Sequence, residues 1–112
     1  MTTPAEIVKE KLKEVVLLWN SKRGKEVVIK FYAPDACVSE GGVSYNGHDE
    51  MLNVYEKFQD VKVEMTPVDV SSPSDDCVIQ KCACKWNGQD RTCTLTWKKI
   101  DGDWKVIREE WL

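Results

Sequence analysis

The chain has one histidine, His48, and no apolar run longer than Val15–Trp19. A bilayer-crossing helix needs about 20 apolar residues, so no membrane span is expected. One imidazole cannot build a multi-histidine metal centre and leaves little for a serine or cysteine triad. There is no excess of basic charge: 16 Lys and Arg stand against 19 Asp and Glu, and the isoelectric point is near 5.2. A nucleic-acid binder would normally carry a basic stripe, so no nucleic acid is expected. No nucleotide-binding, metal-binding or covalent-cofactor motif is present, and no cofactor is expected. The segment from Met1 to Glu6 lacks a basic stretch followed by an apolar core, so it does not read as a signal peptide. Five cysteines, an odd number without such a leader, fit free thiols in a reducing cytoplasm.

What is present is enough for one core. The 112 residues form one expected domain, 1–112, whose 42% hydrophobic content suits a single core under a charged surface. The N-terminal half patterns as helix. Thr3-Pro4-Ala5-Glu6 has an N-cap threonine, a proline at the first helical position and a glutamate at the capping-box position. Val8, Leu12, Val15 and Trp19 then recur at helical spacing, and Asn20-Ser21 and Gly24 close the helix. A second helix spans Lys25–Tyr32 and stops before Pro34. Asp35–Glu40 and Val43–Tyr45 read as a strand pair around Gly41-Gly42. Asn46 is placed to cap a third helix whose buried stripe is Met51, Leu52, Tyr55 and Phe58. Val61, Val63 and Met65 alternate as a strand, and Ser71–Asp76 reads as a loop.

Two turn signals then set the register of the C-terminal strands. Asn87-Gly88 separates Cys77–Trp86 from Gln89–Lys99, and Asp101-Gly102 separates that run from Trp104–Trp111. Both dipeptides suit two-residue type I′ turns, whose central residues need positive φ. The first turn pairs Cys84 with Arg91, Cys82 with Cys93 and Gln80 with Leu95. The second pairs Trp97 with Val106, Leu95 with Arg108 and Cys93 with Glu110. Alternation puts Val78, Gln80, Cys82, Cys84, Trp86, Cys93, Leu95, Trp97, Trp104 and Val106 on an inner face, with Arg108 and Glu110 among them. The outer face receives Ile79, Ala83, Thr92, Thr94, Thr96, Ile107, Glu109 and Trp111. Its apolar centre and lysine border suit a homodimer contact through the sheet. The cysteines lack the fourth ligand and the convergence a soft metal needs, and Cys-x-Cys is not a redox spacing, so they read as core packing.

The order helix, helix, strand pair, helix, four strands indicates an α+β domain: a cone-shaped, curved antiparallel sheet with three N-terminal helices on its concave face. Phe31-Tyr-Ala-Pro-Asp-Ala-Cys-Val38, Tyr45-Asn-Gly47 before a helix, and Asp101-Gly-Asp-Trp-Lys-Val-Ile-Arg108 with Trp111 resemble the nuclear-transport-factor-2-like superfamily, in its SnoaL-like and ketosteroid-isomerase-like branch. The resemblance covers essentially the whole chain. It implies a cystatin-like cone open at its mouth and dimerisation through the outer sheet. It does not imply one function, because this scaffold hosts isomerases, hydratases, cyclases and non-catalytic binding modules.

On the same resemblance, Glu40 falls on the position of the isomerases' catalytic carboxylate base. In a cone mouth with apolar walls it would abstract a proton next to a carbonyl; as the residue before Gly41-Gly42 it would simply be a solvated turn residue. The isomerases' oxyanion-donating tyrosine on the first helix has no counterpart here, since Thr3–Asn20 contains no tyrosine. Arg108 and Glu110 read either as a pocket-lining charged pair or as an ion pair at the end of the sheet. Trp19, Tyr32, Tyr55, Gln80 and Trp97 complete the candidate ligand-binding set. Three classes of function follow: a module binding a small apolar molecule, a proton-transfer enzyme using Glu40, or an assembly domain whose cone is plugged by its own tryptophans. The free volume of the cone separates the first two from the third.

Overall fold

The computed structural model describes residues 2–112. Helix α1 spans Pro4–Asn20, and Thr3 caps it by accepting the Glu6 amide at 3.2 Å, as the threonine-proline start predicts. Helix α2 is Gly24–Phe31. Strands β1 (Tyr32–Glu40) and β2 (Val43–Asn46) form a hairpin before helix α3 (Gly47–Phe58). Four strands follow: β3 (Val63–Ser74), β4 (Cys77–Trp86), β5 (Gln89–Ile100) and β6 (Asp103–Trp111). All six strands make one sheet in the order β2-β1-β6-β5-β4-β3.

Both expected turns are present, with φ of 52° and 87° at Asn87-Gly88 and 51° and 83° at Asp101-Gly102. They bring Trp86 opposite Gln89, Cys82 opposite Cys93 and Trp97 opposite Val106, as the turn chemistry requires. The inner face buries Val78, Gln80, Cys82, Cys84, Cys93, Leu95, Trp97, Trp104 and Val106 against Val8, Leu12 and Phe31 of the helices. All five cysteines are free. Burial pushes the Cys82 thiol up to about 12, so at neutral pH it packs as an inert small apolar group.

Several details differ from the sequence expectation. The sheet is not wholly antiparallel, because β1 pairs with β6 in parallel. The β2 hairpin occupies one edge of β1, and the last strand of the chain fills the other edge after a long excursion, so no hairpin dictates its sense. The expected loop Ser71–Asp76 is mostly strand. Cys77–Lys81 supplies partners as far as Ser74, with irregularities after Pro67 and Ser71, and only Asp75-Asp76 turns. The Asn46 side chain makes no capping bond to α3. His48, which no sequence signal ties to another residue, is half-buried, and its Nε2 lies 2.8 Å from the Tyr32 carbonyl, pinning the start of β1.

The largest consequence comes from a β-bulge in β6. Trp97 faces Val106, but Thr96 faces Arg108, so Ile107 is the extra residue. Beyond it every side chain of β6 changes face. Glu109 and Trp111 turn inward; Arg108 and Glu110 turn outward and pair with each other at 2.7 Å. Placing Arg108 and Glu110 on the inner face was therefore wrong. The same shift takes Trp111 away from the outer face and sets it opposite Cys93.

Candidate functional site

Where the three helices meet the Asn87-Gly88 end of the sheet, the cone stays open. A cavity of about 140 Å³ lies there. Helix α1 contributes Trp19, α3 contributes Met51 and Phe58, and the sheet contributes Tyr32, Glu40, Tyr45, Trp86, Glu109 and Trp111. The aromatic walls contact one another edge to face: Trp86 packs against Trp111 with ring centroids 5.6 Å apart and against Phe58 at 5.5 Å. Such tilted pairs suit ring quadrupoles and hold the walls apart as a frame. Two ties fix that frame to its surroundings. Trp19 Nε1 donates to the Val61 carbonyl at 3.0 Å. The Asn20 amide exchanges bonds of 2.8 and 2.9 Å with the backbone of Val63, imitating a strand neighbour at the end of α1.

The polar centre of the cavity is Glu109, 7% exposed. Its carboxylate accepts a hydrogen bond from the Tyr32 hydroxyl on one oxygen and from Trp111 Nε1, at 2.6 Å, on the other. Burial raises its pKa above the ordinary carboxylate range, although both donors favour the charged form. Burial, and then the neighbouring carboxylate, likewise pushes the Tyr32 phenol well above its ordinary value. Among the described residues no cation pairs with Glu109. Tyr32 is itself held by the His48 contact on its own carbonyl.

Each residue expected to matter has a definite place. Glu40 does line the cavity, at its rim, where its side chain is 52% exposed and lies 3.7 Å from Arg91. The burial a proton-abstracting carboxyl needs is found at Glu109 instead. Trp19 and Tyr32 line the cavity. Tyr55 is buried behind it, edge-on to Trp19 at 5.2 Å and packed so closely on Gly24 that a Cβ there would sit 2.1 Å from its ring. Gln80 and Trp97 belong to the core rather than the cavity: both are 0% exposed, and Trp97 Nε1 donates to Gln80 Oε1 at 3.0 Å. Arg108 and Glu110 lie on the opposite face of the sheet.

Glu109 and Trp111 were missed as site residues, yet the sequence holds a trace of them. Val106-Ile107 is an adjacent apolar pair that breaks strict alternation, and a one-residue slip there turns Trp111 inward. Among the described residues, no group of three or more His, Cys, Asp and Glu is arranged to hold a metal, and no helix is long and apolar enough to cross a membrane.

This arrangement of helices and sheet recurs in solved structures. A structure from Shewanella oneidensis, described as an NTF-2-like protein of unknown function, superposes with a TM-score of 0.86 over 97% of this chain and 98% of that one, at 16% identity. A domain of unknown function with a cystatin-like fold from Nostoc punctiforme matches with a TM-score of 0.80 over 98% of this chain and 78% of its own, also at 16% identity. The fold is nuclear-transport-factor-2-like. A de novo designed protein with a curved β-sheet shares it too, with a TM-score of 0.77 over 96% of this chain and 97% of that one, at 20% identity. That a designed sequence takes up the NTF2-like architecture underlines that the cone is a scaffold, and that function must be sought in the cavity. No protein-family model matches the chain, and no curated protein does.

Proposed function

We propose that this NTF2-like domain binds a small, largely apolar molecule inside its cone. The observation that carries the reading is the open cavity of about 140 Å³ bordered by Trp19, Trp86 and Trp111. A cone plugged by its tryptophans would have favoured an assembly role. The volume is close to that of an engineered apolar cavity of ~150 Å³ that accepts benzene, which sets the scale of the occupant. Because three tryptophans border the space, a ligand entering it changes their emission. Titration with toluene or benzyl alcohol should give a saturable change in tryptophan fluorescence. No saturable change, together with unshifted Met51 methyl resonances, would overturn the reading.

Proton transfer is a second reading, favoured by the buried carboxyl of Glu109 beside the Tyr32 hydroxyl. It differs from the sequence expectation in moving the base from the exposed Glu40 to a desolvated position inside the cavity. Turnover of a carbonyl compound that survives Glu40→Gln but not Glu109→Gln would support it.

Dimerisation through the outer sheet face rests on Ile79, Ala83 and the half-buried Thr92, Thr94 and Thr96. That face now also carries the Arg108–Glu110 pair in place of Trp111, which makes it more polar than alternation alone predicts. Light scattering that returns the monomer mass of 12.9 kDa at tens of micromolar would remove the dimer.

A further inference from the structure

Building on the ligand-binding reading, we propose that the occupant of the cone is a small organic cation, an amine or quaternary ammonium, with Glu109 as its counter-ion and Trp19, Trp86 and Trp111 as its walls. The charge of the lining points this way. Glu40 and Glu109 both border the cavity, and among the described residues no Lys or Arg lines it directly. Glu40 has Arg91 at the rim, whereas Glu109 faces the space with no cation partner among the described residues. An anionic ligand would meet the uncompensated Glu109 carboxylate inside, with the nearest cation, Arg91, already paired with Glu40 at the rim.

The hydrogen-bonding capacity around Glu109 has the same polarity. Trp19 Nε1, Trp111 Nε1 and the Tyr32 hydroxyl are donors, and all three are already engaged by protein acceptors. A carboxylate offers about four lone-pair positions, and Glu109 uses two of them on Tyr32 and Trp111. What remains on Glu109 is acceptor capacity, which suits an N–H donor or a bare positive charge; the Tyr45 hydroxyl and Trp86 Nε1, on half-buried lining residues, are donors outside this count. Tyr32 and Trp111 also fix the carboxylate in place, and its desolvation has already occurred on folding. The faces of tryptophan attract cations, most strongly where water is excluded. The molecule already uses this pairing at the rim, where the Arg91 guanidinium carbon sits 5.8 Å from the centroid of Trp111 while its Nη2 lies near Glu40.

The test is a matched series on the wild-type protein at neutral pH, read by tryptophan fluorescence and calorimetry: toluene, benzyl alcohol, benzylammonium and benzoate. Benzylammonium should bind tighter than benzyl alcohol by roughly tenfold or more, as a charge-assisted bond in a dry site provides, and benzoate should not saturate. Glu109→Gln should bring the benzylammonium affinity down to that of benzyl alcohol. The proposal is overturned, with the cavity reading left standing, if benzyl alcohol binds as tightly as benzylammonium or if Glu109→Gln keeps the cation preference. Should toluene, benzyl alcohol and benzylammonium all fail to bind, both readings fall. Should the variant not fold, the wild-type ordering decides alone.

Discussion

At the Asp101-Gly102 end of the cone, Trp97 is wholly buried and Trp104 nearly so, while at the Asn87-Gly88 end Trp19, Trp86 and Trp111 are only half-buried and border open space. Each end also contains one buried polar side chain bonded to a tryptophan. In the packed end it is Gln80, a neutral amide that accepts from Trp97 and whose Nε2 has no partner. In the open end it is Glu109, an ionisable group held by Trp111 and Tyr32. The same two ingredients, indole and carbonyl oxygen, thus make a core in one place and a site in the other. The difference lies in packing. Gln80 lies within the buried core that includes Val8, Leu12, Phe31 and Leu95, whereas Glu109 borders the open cavity. A polar group surrounded by packed carbon can only hold the fold together; one facing a void can meet a ligand.

The comparison breaks most visibly through truncation. Trp97→Ala removes a fully buried indole and leaves Gln80 Oε1 without its donor, so it should cost about 3–5 kcal/mol in urea unfolding. Trp86→Ala removes a half-buried ring beside an existing cavity and creates little new void. It should cost about 1–2 kcal/mol while reducing the ligand-induced fluorescence change to the part that Trp19 and Trp111 report. Equal costs at the two positions would mean that the ends are packed alike.

The protonation of Glu109 sharpens the contrast, because Gln80 cannot titrate. A carboxyl whose pKa is raised on folding binds more protons in the folded than in the unfolded chain between the two values. Its contribution is therefore fully present below the ordinary carboxylate pKa, is lost as pH rises toward the folded value, and is flat above it. Tyr32 and Glu40 from β1, Cys82 and Cys84 from β4 and Cys93 from β5 are the titratable groups around it. Cys82 and Cys93 are held protonated by burial, and Tyr32 titrates well above this window. The lowered Asp76 and Asp103 act in the opposite sense, adding stability as pH rises from below the ordinary carboxylate range up through it and staying constant above it. Unfolding midpoints taken from about pH 4 to pH 8 should thus fall with pH relative to Glu109→Gln, whose profile lacks this component. A wild-type profile parallel to that of the variant would show that Glu109 is not desolvated.

How legible each end was in the sequence follows from local chemistry. The packed end could be read because Asn87-Gly88 and Asp101-Gly102 fix two registers by backbone conformation alone, and the pairings out to Trp97 with Val106 follow by counting. Counting fails one residue later. A bulge is a tertiary accommodation: Ile107 is extruded so that Trp111 and Glu109 can face the cavity, and no turn residue announces it. The open end therefore could be read in its composition but not in its membership. Trp19, Tyr32 and Glu40 were anticipated; Glu109 was assigned to the solvent side. Gln80 and Trp97 were placed on the correct face, but period-two alternation says which side of a sheet a residue occupies and not how far along the cone the packing stops. His48 eluded the sequence reading for the same reason, since its partner is a backbone carbonyl brought close only by the fold.

The smallest expected effect tests that bulge directly. Arg108 and Glu110 are an exposed pair on the outer face, 65% and 46% accessible at their side chains. Exposed pairs of this kind contribute about 0–1 kcal/mol, because water screens the attraction and two flexible side chains must be ordered. Arg108→Ala and Glu110→Ala should each change unfolding free energy by roughly 0.5 kcal/mol or less, and neither should alter the affinity for benzylammonium or benzyl alcohol. Strict alternation predicts the reverse, since it would bury both charges inside the cone. Removing one buried partner would then cost about 3–5 kcal/mol and alter the cavity. Two surface mutants with unaltered binding would place the change of register at Ile107; a large loss in either would restore the unbroken strand and return Glu109 to solvent.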